Sequence, residues 1–413
     1  MTRNLDIVLY GATGITGKFI LEQFFKSAYA DRFRIGIAGR NEQKLRKVLG
    51  DVGQFVDRDL TSLPVIIADH SNTDTLAEMA KQARVIINVV GQYSLHGESV
   101  VKAAVENGAS HLDLSGEPAW LEEMQLKYSA KARETGAYII GATGWISMPT
   151  DMGVSYLKSV FPGCLAYSET FTTLNQPSGY ASSSGIFKSI LLAMAKQGNL
   201  EEIRRQTMPE KLETYPAPKR PPIWYNQELQ SYVTPFLVAD ATIVNRSEYH
   251  KAVHDKSAKS PMSIETYVLQ PSFLSSLGNL VHFGFLYLLC QFGPTYRFCQ
   301  RNPELTSLGL YNDKGPTREQ VKQATFTTYI QGHGWKDTTI PQLNEKPTEK
   351  LMIRVDGPDA QYLGTSGFVL SAAATILEDK LPVDGGVYTT AIAFEGTKIF
   401  DRLRQFGITF RVQ

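Results

Sequence analysis

An apolar run at residues 5–10 ends in Gly11-Ala12-Thr13-Gly14-Ile15-Thr16-Gly17, and beyond Lys18 the apolar residues Phe19, Ile20, Leu21, Phe24 and Phe25 recur at helical spacing. The pattern predicts strand, glycine turn, helix. Few folds use that junction, because it gathers free backbone N–H groups and the positive end of a helix at one spot, where a nucleotide pyrophosphate can rest. The spacing is Gly-x-x-Gly-x-x-Gly rather than the commoner Gly-x-Gly-x-x-Gly, so its weight comes from the strand before it and the helix after it. The competing reading is a tight turn that holds no ligand.

Further short apolar or β-branched runs follow at residues 33–38, 65–68, 85–90, 110–114 and 138–140, with helical patterns between several of them. Such alternation predicts a parallel sheet with helices on both faces. After about residue 152 the pattern changes. Residues 166–174, 324–330 and 351–355 read as strands of a mixed sheet separated by long insertions, and 215–222, rich in proline, reads as an extended surface loop. Residues 360–377 form a good helical pattern. With 413 residues the chain exceeds one ordinary core. The expected fold class is α/β, an N-terminal Rossmann domain with a parallel sheet (1–150) followed by a second mixed α+β domain (151–380). A C-terminal segment (381–413) is expected to return toward the first domain.

The second strand ends in Gly39-Arg40. Enzymes that select NAD(H) place an acidic residue there to accept from the ribose 2′-hydroxyl. A guanidinium instead suits a 2′-phosphate, with Lys44 one turn further as a second cation, so the expected cofactor is NADP(H) rather than NAD(H). Arg40 could also merely cap a strand on a solvated edge. Asp69, after the third strand, is placed for the adenine edge or for a helix N-cap. Val90 and Gly91, after the fourth, are placed to line the ribose and nicotinamide.

A net charge of +1, with 20% charged residues and no basic stripe, argues against a nucleic-acid partner. The three cysteines, Cys164, Cys290 and Cys299, lack Cys-x-x-Cys spacing and a histidine cluster, so neither a disulfide framework nor a metal site is expected. The first strand begins too early to leave room for a signal peptide, and an intracellular protein is expected.

Residues 11–17, Ala38-Gly39-Arg40, 88–93 with Gly97 and Glu98, Asp113-Leu114-Ser115-Gly116-Glu117 and 126–129 are similar to the animal saccharopine dehydrogenase-like oxidoreductases. So are Gly385-Gly386-Val387-Tyr388, Asp401-Arg402-Leu403 and Phe406-Gly407-Ile408 near the end. The resemblance covers nearly the whole chain. It implies an NAD(P)-binding Rossmann domain, an α/β domain after it, and association with lipid droplets or membranes; a bacterial branch is described as enoyl reductases of lipid and polyketide assembly. One departure matters. Where animal relatives carry a carboxylate, Gly144-Trp145-Ile146-Ser147-Met148-Pro149 has Ile146, so Trp145, Ile146 and Ser147 suit a wall for an apolar ligand.

Short-chain dehydrogenases pair a tyrosine with a lysine four residues on along a helix. Only Tyr215 and Lys219 have that spacing, and the prolines at 216 and 218 forbid the helix. Candidates for a proton-transferring group are therefore Tyr93, His96, Asp113 and Glu117, beside the expected nicotinamide face, and Tyr93 is also expected to contact the substrate. Each has a structural alternative: His96 as an exposed helix-start residue, Asp113 as a cap of the turn at Ser115, Glu117 as partner of a cation.

Residues 266–296 contain no Asp, Glu, Lys or Arg. Their length approaches that of a membrane span. Ser275, Ser276, Asn279 and His282 weaken that reading, and Pro271, Gly278, Gly284 and Pro294 predict a broken or re-entrant form, best suited to a monotopic helix or hairpin in a lipid monolayer. The alternative is a buried helix pair or a homodimer surface. The leading expectation is thus an NADP(H)-dependent reductase of a hydrophobic small-molecule ligand, its pocket between the strand ends and the second domain. It would be associated with lipid droplets or membranes, or otherwise cytoplasmic. A carrier of a lipid or pigment on the same scaffold stays open, as does a saccharopine-type reductase, although no arginine cluster for a dicarboxylate substrate stands out.

Overall fold

The computed structural model describes residues 3–196, 200–236, 239–254, 261–338 and 341–413. The chain divides into two compact units, Met1–Trp145 with Ala360–Phe406, and Ile146–Asp359 with Gly407–Gln413.

In the first unit the chain runs through β1 (Leu5–Tyr10), β2 (Ile35–Gly39), β3 (Val65–Ile67), β4 (Ala83–Asn88), β5 (Ser110–Asp113) and β6 (Tyr138–Ile140). Helices Ile15–Lys26, Glu42–Val56, Thr73–Gln82, Tyr93–Glu106 and Pro118–Thr135 lie between them. Ile7, Val8 and Leu9 of β1 and Val85, Ile86 and Ile87 of β4 have no exposed surface, as strands covered on both faces require.

The second unit holds β7 (Gly163–Asn175), β8 (Ser182–Ser183), β9 (Trp224–Asn226), β10 (Ser231–Pro235), β11 (Ser263–Gln270), β12 (Tyr311–Asn312), β13 (Thr325–Lys336) and β14 (Glu349–Pro358). The chain then returns to the first unit for β15 (Gly386–Tyr388) and finishes with β16 (Thr409–Val412) in the second. The first sheet has the order β15-β6-β5-β4-β1-β2-β3, with every neighbouring pair parallel. The second, β16-β14-β13-β7-β11-β10-β9, is mixed: β7 and β11 pair in parallel, the rest antiparallel. β8 and β12 pair in parallel as a separate two-stranded sheet, and the α/β class, with a parallel first sheet and a mixed second one, is as expected.

Two boundaries differ from expectation. Helix Thr365–Glu378, assigned from sequence to the second domain, belongs to the first unit, packed on helix Ile15–Lys26 and on β4 and β5. It is buried over every residue from Thr365 to Thr375, and a helix that is apolar all round must be covered all round. Two of its buried hydroxyls bond backbone carbonyls one turn back: Ser366 Oγ donates to the Tyr362 carbonyl and Thr375 Oγ1 to that of Ser371. The C-terminal segment also splits, because β16 pairs with β14 of the second sheet. Two residues of register place Val355 opposite Phe410 and Ile353 opposite Val412, an edge that sequence distance hides.

The long uncharged segment begins in β11 and ends in helix Gly293–Arg301, and between them Phe273–Cys290 is one helix that Gly278 and Gly284 do not break; a capping box of Ser272 and Ser275 starts it. Pro294 sits in the first turn of the next helix, Gly293–Arg301, where proline is tolerated.

Candidate cofactor-binding site

The register of the first sheet sets Tyr10 level with Ala38 and Asn88, and Asn88 level with Asp113. The C-terminal ends of these strands therefore form one rim. Strand order runs from β1 to β2 on one side and to β4 on the other, which opens a crevice at that rim.

The glycine turn occupies the crevice. Gly11 has φ +95°, and a Cβ there would approach Val90 Cγ2 to 2.9 Å. At Gly17 a Cβ would stand 2.7 Å from the Gly11 carbonyl oxygen and 2.8 Å from Ala12 Cα, so only glycine lets the helix seat on the turn. Gly14 differs. A Cβ there meets nothing nearer than 3.5 Å, and Thr13 and Gly14 are exposed, so the protein leaves this spot open. Gly14 is the N-cap of helix Ile15–Lys26, with no side-chain cap and no acidic residue in the first turn. Amides of Ile15, Thr16 and Gly17 thus open a helix whose own first turn supplies no anion to its positive end, the arrangement a diphosphate needs.

Arg40 follows Gly39 at the end of β2 and is exposed, as is Lys44; the Asn41 side chain caps their helix by accepting from the Lys44 amide. After β3 the helix N-cap is Asn72, which frees Asp69 from that role. The Asp69 carboxylate accepts from the amide and hydroxyl of Ser71, which hold it below the ordinary carboxylate range. After β4 the Val90 amide donates to Asn88 Oδ1, Gly91 is exposed, and Val90 Cγ2 lies over Gly11. The residues present fit NADP(H): 11–17 for the diphosphate, Arg40 and Lys44 for the extra phosphate.

The four candidates for proton transfer separate into two groups. Tyr93, Asp113 and Glu117 form a buried network. Glu117 accepts from the amides of Tyr93 (2.8 Å) and Ser94 (3.0 Å), an anion at the start of helix Tyr93–Glu106. Asp113 Oδ1 accepts from the amides of Ser115 and Ala142, and the Tyr93 hydroxyl donates to the Asn88 carbonyl and accepts from the Leu114 amide. Burial, with Asp113 nearby, pushes the Tyr93 phenol well above its usual range, so it holds its proton. These contacts pin the strand-end loops. His96 lies elsewhere: its ring centroid is 4.1 Å from that of His70, beside Arg40 and Asp69. Tyr215, of the rejected tyrosine-lysine pair, stacks on Tyr167 and packs against Trp335 in the second unit.

The Trp145 amide donates to Thr365 Oγ1, and between Trp145 and Ile146 the chain passes from the first unit to the second. Ser147 is buried with φ +84°, a strained conformation for a residue with a Cβ. A carboxylate that sequence reading missed secures it. Asp240 accepts from Ser147 Oγ (3.1 Å) and Thr150 Oγ1 (2.6 Å), although these residues lie 93 and 90 positions away in sequence. No local pattern announces such a pair; a lone aspartate starting a helix reads as a solvated first-turn acid. His70 was missed for the same reason.

Burial pushes the Asp240 carboxyl up from 3.8 to about 6. The folded protein therefore takes up this proton more readily than the unfolded chain, so the group's stability contribution is full below pH 3.8 and is lost as pH rises through about 6. That loss is on the order of 3 kcal/mol. Asp240→Asn should lack it: in urea unfolding at pH 4, 5, 6 and 7, the variant is expected to gain on the wild type as pH rises. A constant difference would show that Asp240 does not titrate in this window.

Residues 7–140 match the family model described as the saccharopine dehydrogenase NADP binding domain. A human saccharopine dehydrogenase-like oxidoreductase is 36% identical over 99% of this chain and 97% of its own length. The chain belongs to the saccharopine dehydrogenase-like oxidoreductase family. A Caenorhabditis elegans relative with the name lipid droplet localized protein is 43% identical, covering 99% of this chain and 98% of that one. Among solved structures, apo saccharopine dehydrogenase (L-Glu forming) from Saccharomyces cerevisiae superposes with TM-score 0.56 over 99% of both chains at 13% identity, a likeness of fold. This saccharopine dehydrogenase-like chain is thus an oxidoreductase with an NADP-binding domain, and NADP(H) is the cofactor, as Arg40 led one to expect.

Proposed function

We propose that the chain is an NADP(H)-dependent oxidoreductase of a hydrophobic, lipid-like small molecule, and that it works against a lipid monolayer or membrane surface. The outer stripe of helix Phe273–Cys290 carries this reading. Leu274, Val281, Phe285 and Leu288 are each more than half exposed, and Leu277 nearly so, at spacings of three and four that put them on one face. The opposite edge supplies Leu286 and Cys290 to a small core with Phe187, Leu191 and Cys299. Only 17% of the helix is buried; it is long and apolar enough to cross a membrane (mean hydropathy 1.5), but its buried edge suits a helix lying in an interface. The next helix exposes Phe298 between Arg297 and Arg301, cations placed for headgroups. The name of the worm relative agrees with a droplet surface.

Bound NADPH supplies a hydride. In this reading the glycine turn holds the diphosphate, Asp69 faces the adenine edge, Val90 and Gly91 line the ribose, and Trp145 and Ile146 offer the substrate an apolar wall. One observation favours a second reading, a carrier of a hydrophobic ligand that keeps the cofactor: Tyr93, Asp113 and Glu117 all serve backbone groups. Native purification followed by mass spectrometry and addition of NADPH separates the two. Consumption of a co-purified lipid supports the oxidoreductase, and a retained ligand that is never consumed supports the carrier. Turnover confined to an imine of a dicarboxylic amino acid would overturn the lipid substrate.

Substituting Val281, Phe285 and Leu288 together by glutamate removes apolar contacts worth roughly 1.5–3 kcal/mol each when buried. Co-flotation with phospholipid-coated triacylglycerol droplets is expected to fall at least tenfold, with NADPH binding unchanged. Unchanged flotation, or a wild-type dimer that the substitutions convert to monomer, would defeat the lipid-surface reading.

A further inference from the structure

Beyond the glycine turn, the rim of the first sheet gathers a cluster that neither the turn nor a cation after β2 accounts for. His70 follows β3, and His96 stands in the first turn of the helix after β4. Their rings lie with centroids 4.1 Å apart at 47°. Arg40, from the end of β2, is close enough to act electrostatically on Asp69 and on His96. Asp69 Oδ1 stands 3.5 Å from His70 Nδ1. From β1, the Tyr10 phenol lies close to the His70 backbone and to Asp69; burial pushes it up to about 12, so it stays neutral. Lys44 lies one turn into the helix after β2. The groups facing the two imidazoles are therefore one carboxylate, one guanidinium and a neutral phenol. Both rings keep part of their surface in solvent.

We propose that His70 and His96 form, with Arg40, the recognition site for the 2′-phosphate of NADP(H), and that one shared proton on the imidazole pair sets how strongly NADP(H) is preferred over NAD(H). This rests on the cofactor site described above and adds two residues and a proton to it. With both imidazoles neutral, the formal charges of Arg40 and Asp69 sum to zero, so the guanidinium is the cluster's one cation toward a dianionic phosphate. One proton makes the cluster cationic. A second is opposed by the first across a ring separation of 4.1 Å, so the pair carries a single charge. In the free protein burial, the neighbouring His70 and Arg40 hold His96 below the ordinary histidine range. An approaching phosphate supplies the opposite charge, and binding draws a proton from solvent. The ribose 2′-hydroxyl of NAD(H) is uncharged and cannot do so.

The chemistry predicts a difference between two cofactors on one protein. Isothermal titration calorimetry in buffers of different ionisation enthalpy counts protons taken up on binding. Near pH 7.5, NADPH is expected to bind with net uptake of a fraction of a proton approaching one, and NADH with none. The ratio of NADH to NADPH dissociation constants should rise about tenfold from pH 8 to pH 6.5, since one pH unit of linked proton uptake is worth up to a factor of ten. His70→Asn and His96→Gln, singly and together, should flatten that ratio against pH and remove the proton uptake. NADH binding, expected to persist in all three variants, shows that the turn is still folded. NADPH that binds with no proton uptake, or variants with the wild-type pH dependence, would overturn the proposal while leaving the cofactor site standing. Failure of both nucleotides to bind the wild type would overturn the site as well.

Discussion

Glutamate in place of Arg40 is expected to weaken NADPH binding by roughly 10²–10³-fold while NADH binding changes by no more than a few-fold, read by cofactor fluorescence titration. A hydrogen bond to a charged group is worth about 1.5–3 kcal/mol, and a carboxylate facing a phosphate dianion adds repulsion, so about 3–4 kcal/mol is at stake. The same carboxylate suits NADH, whose 2′-hydroxyl can donate to it. Arg40 is exposed and makes no hydrogen bond or ion pair among the described residues, so the change should leave folding stability within about 0.5 kcal/mol. Equal losses for both nucleotides would mean that Arg40 does not face the 2′-phosphate.

The second large effect concerns stability. Arg402 is nearly buried, with 7% of its side chain exposed, and donates to Asp379 (2.7 and 2.8 Å), Glu378 (3.1 Å) and Thr375 (3.1 Å). It ties helix Ile399–Gln405 to helix Thr365–Glu378, which backs the glycine-turn helix. Arg402→Met keeps the side-chain volume but removes the charge partner of Asp379, whose side chain is 12% exposed and which then keeps, among the described residues, only the Lys398 amide, while Glu378 keeps Arg32. Breaking a buried pair from one side costs about 3–5 kcal/mol, and urea unfolding at pH 7 should show a loss of that size. The pair holds Asp379 below the ordinary carboxylate range, so its contribution is present at neutral pH and is lost as pH falls below that range. The deficit of the variant should therefore shrink under acid. A loss below 1 kcal/mol would mean that water or rearrangement replaces the guanidinium.

Much of the cofactor site is legible in sequence because it is local. Gly11, Gly14 and Gly17 lie within one turn and its flanks, and Arg40 directly follows its strand, so chain neighbours alone predict backbone N–H groups and a cation at the sheet edge. Tyr93, Asp113 and Glu117 were also placed at strand ends, but their partners were not. Whether Glu117 faces a cation, a substrate or two backbone amides depends on how the helix starting at Tyr93 is aimed, and residue types do not state that. Asn72 rather than Asp69 caps its helix, a choice between polar residues three apart that turn geometry makes.

The order of residues along the chain determined the strand-turn-helix junction, the parallel first sheet, the preference for NADP(H) and the uncharged segment, since each is written in residues close together or in a periodicity. Tertiary structure alone decided that helix Thr365–Glu378 joins the first unit, that β16 joins the second sheet, that Asp240 restrains Ser147, and that His70 meets His96. It also decided which edge of helix Phe273–Cys290 stays bare. The physical reason is common to all of these. Burial and charge act through space, and which distant surfaces meet is settled by the packing of the whole chain.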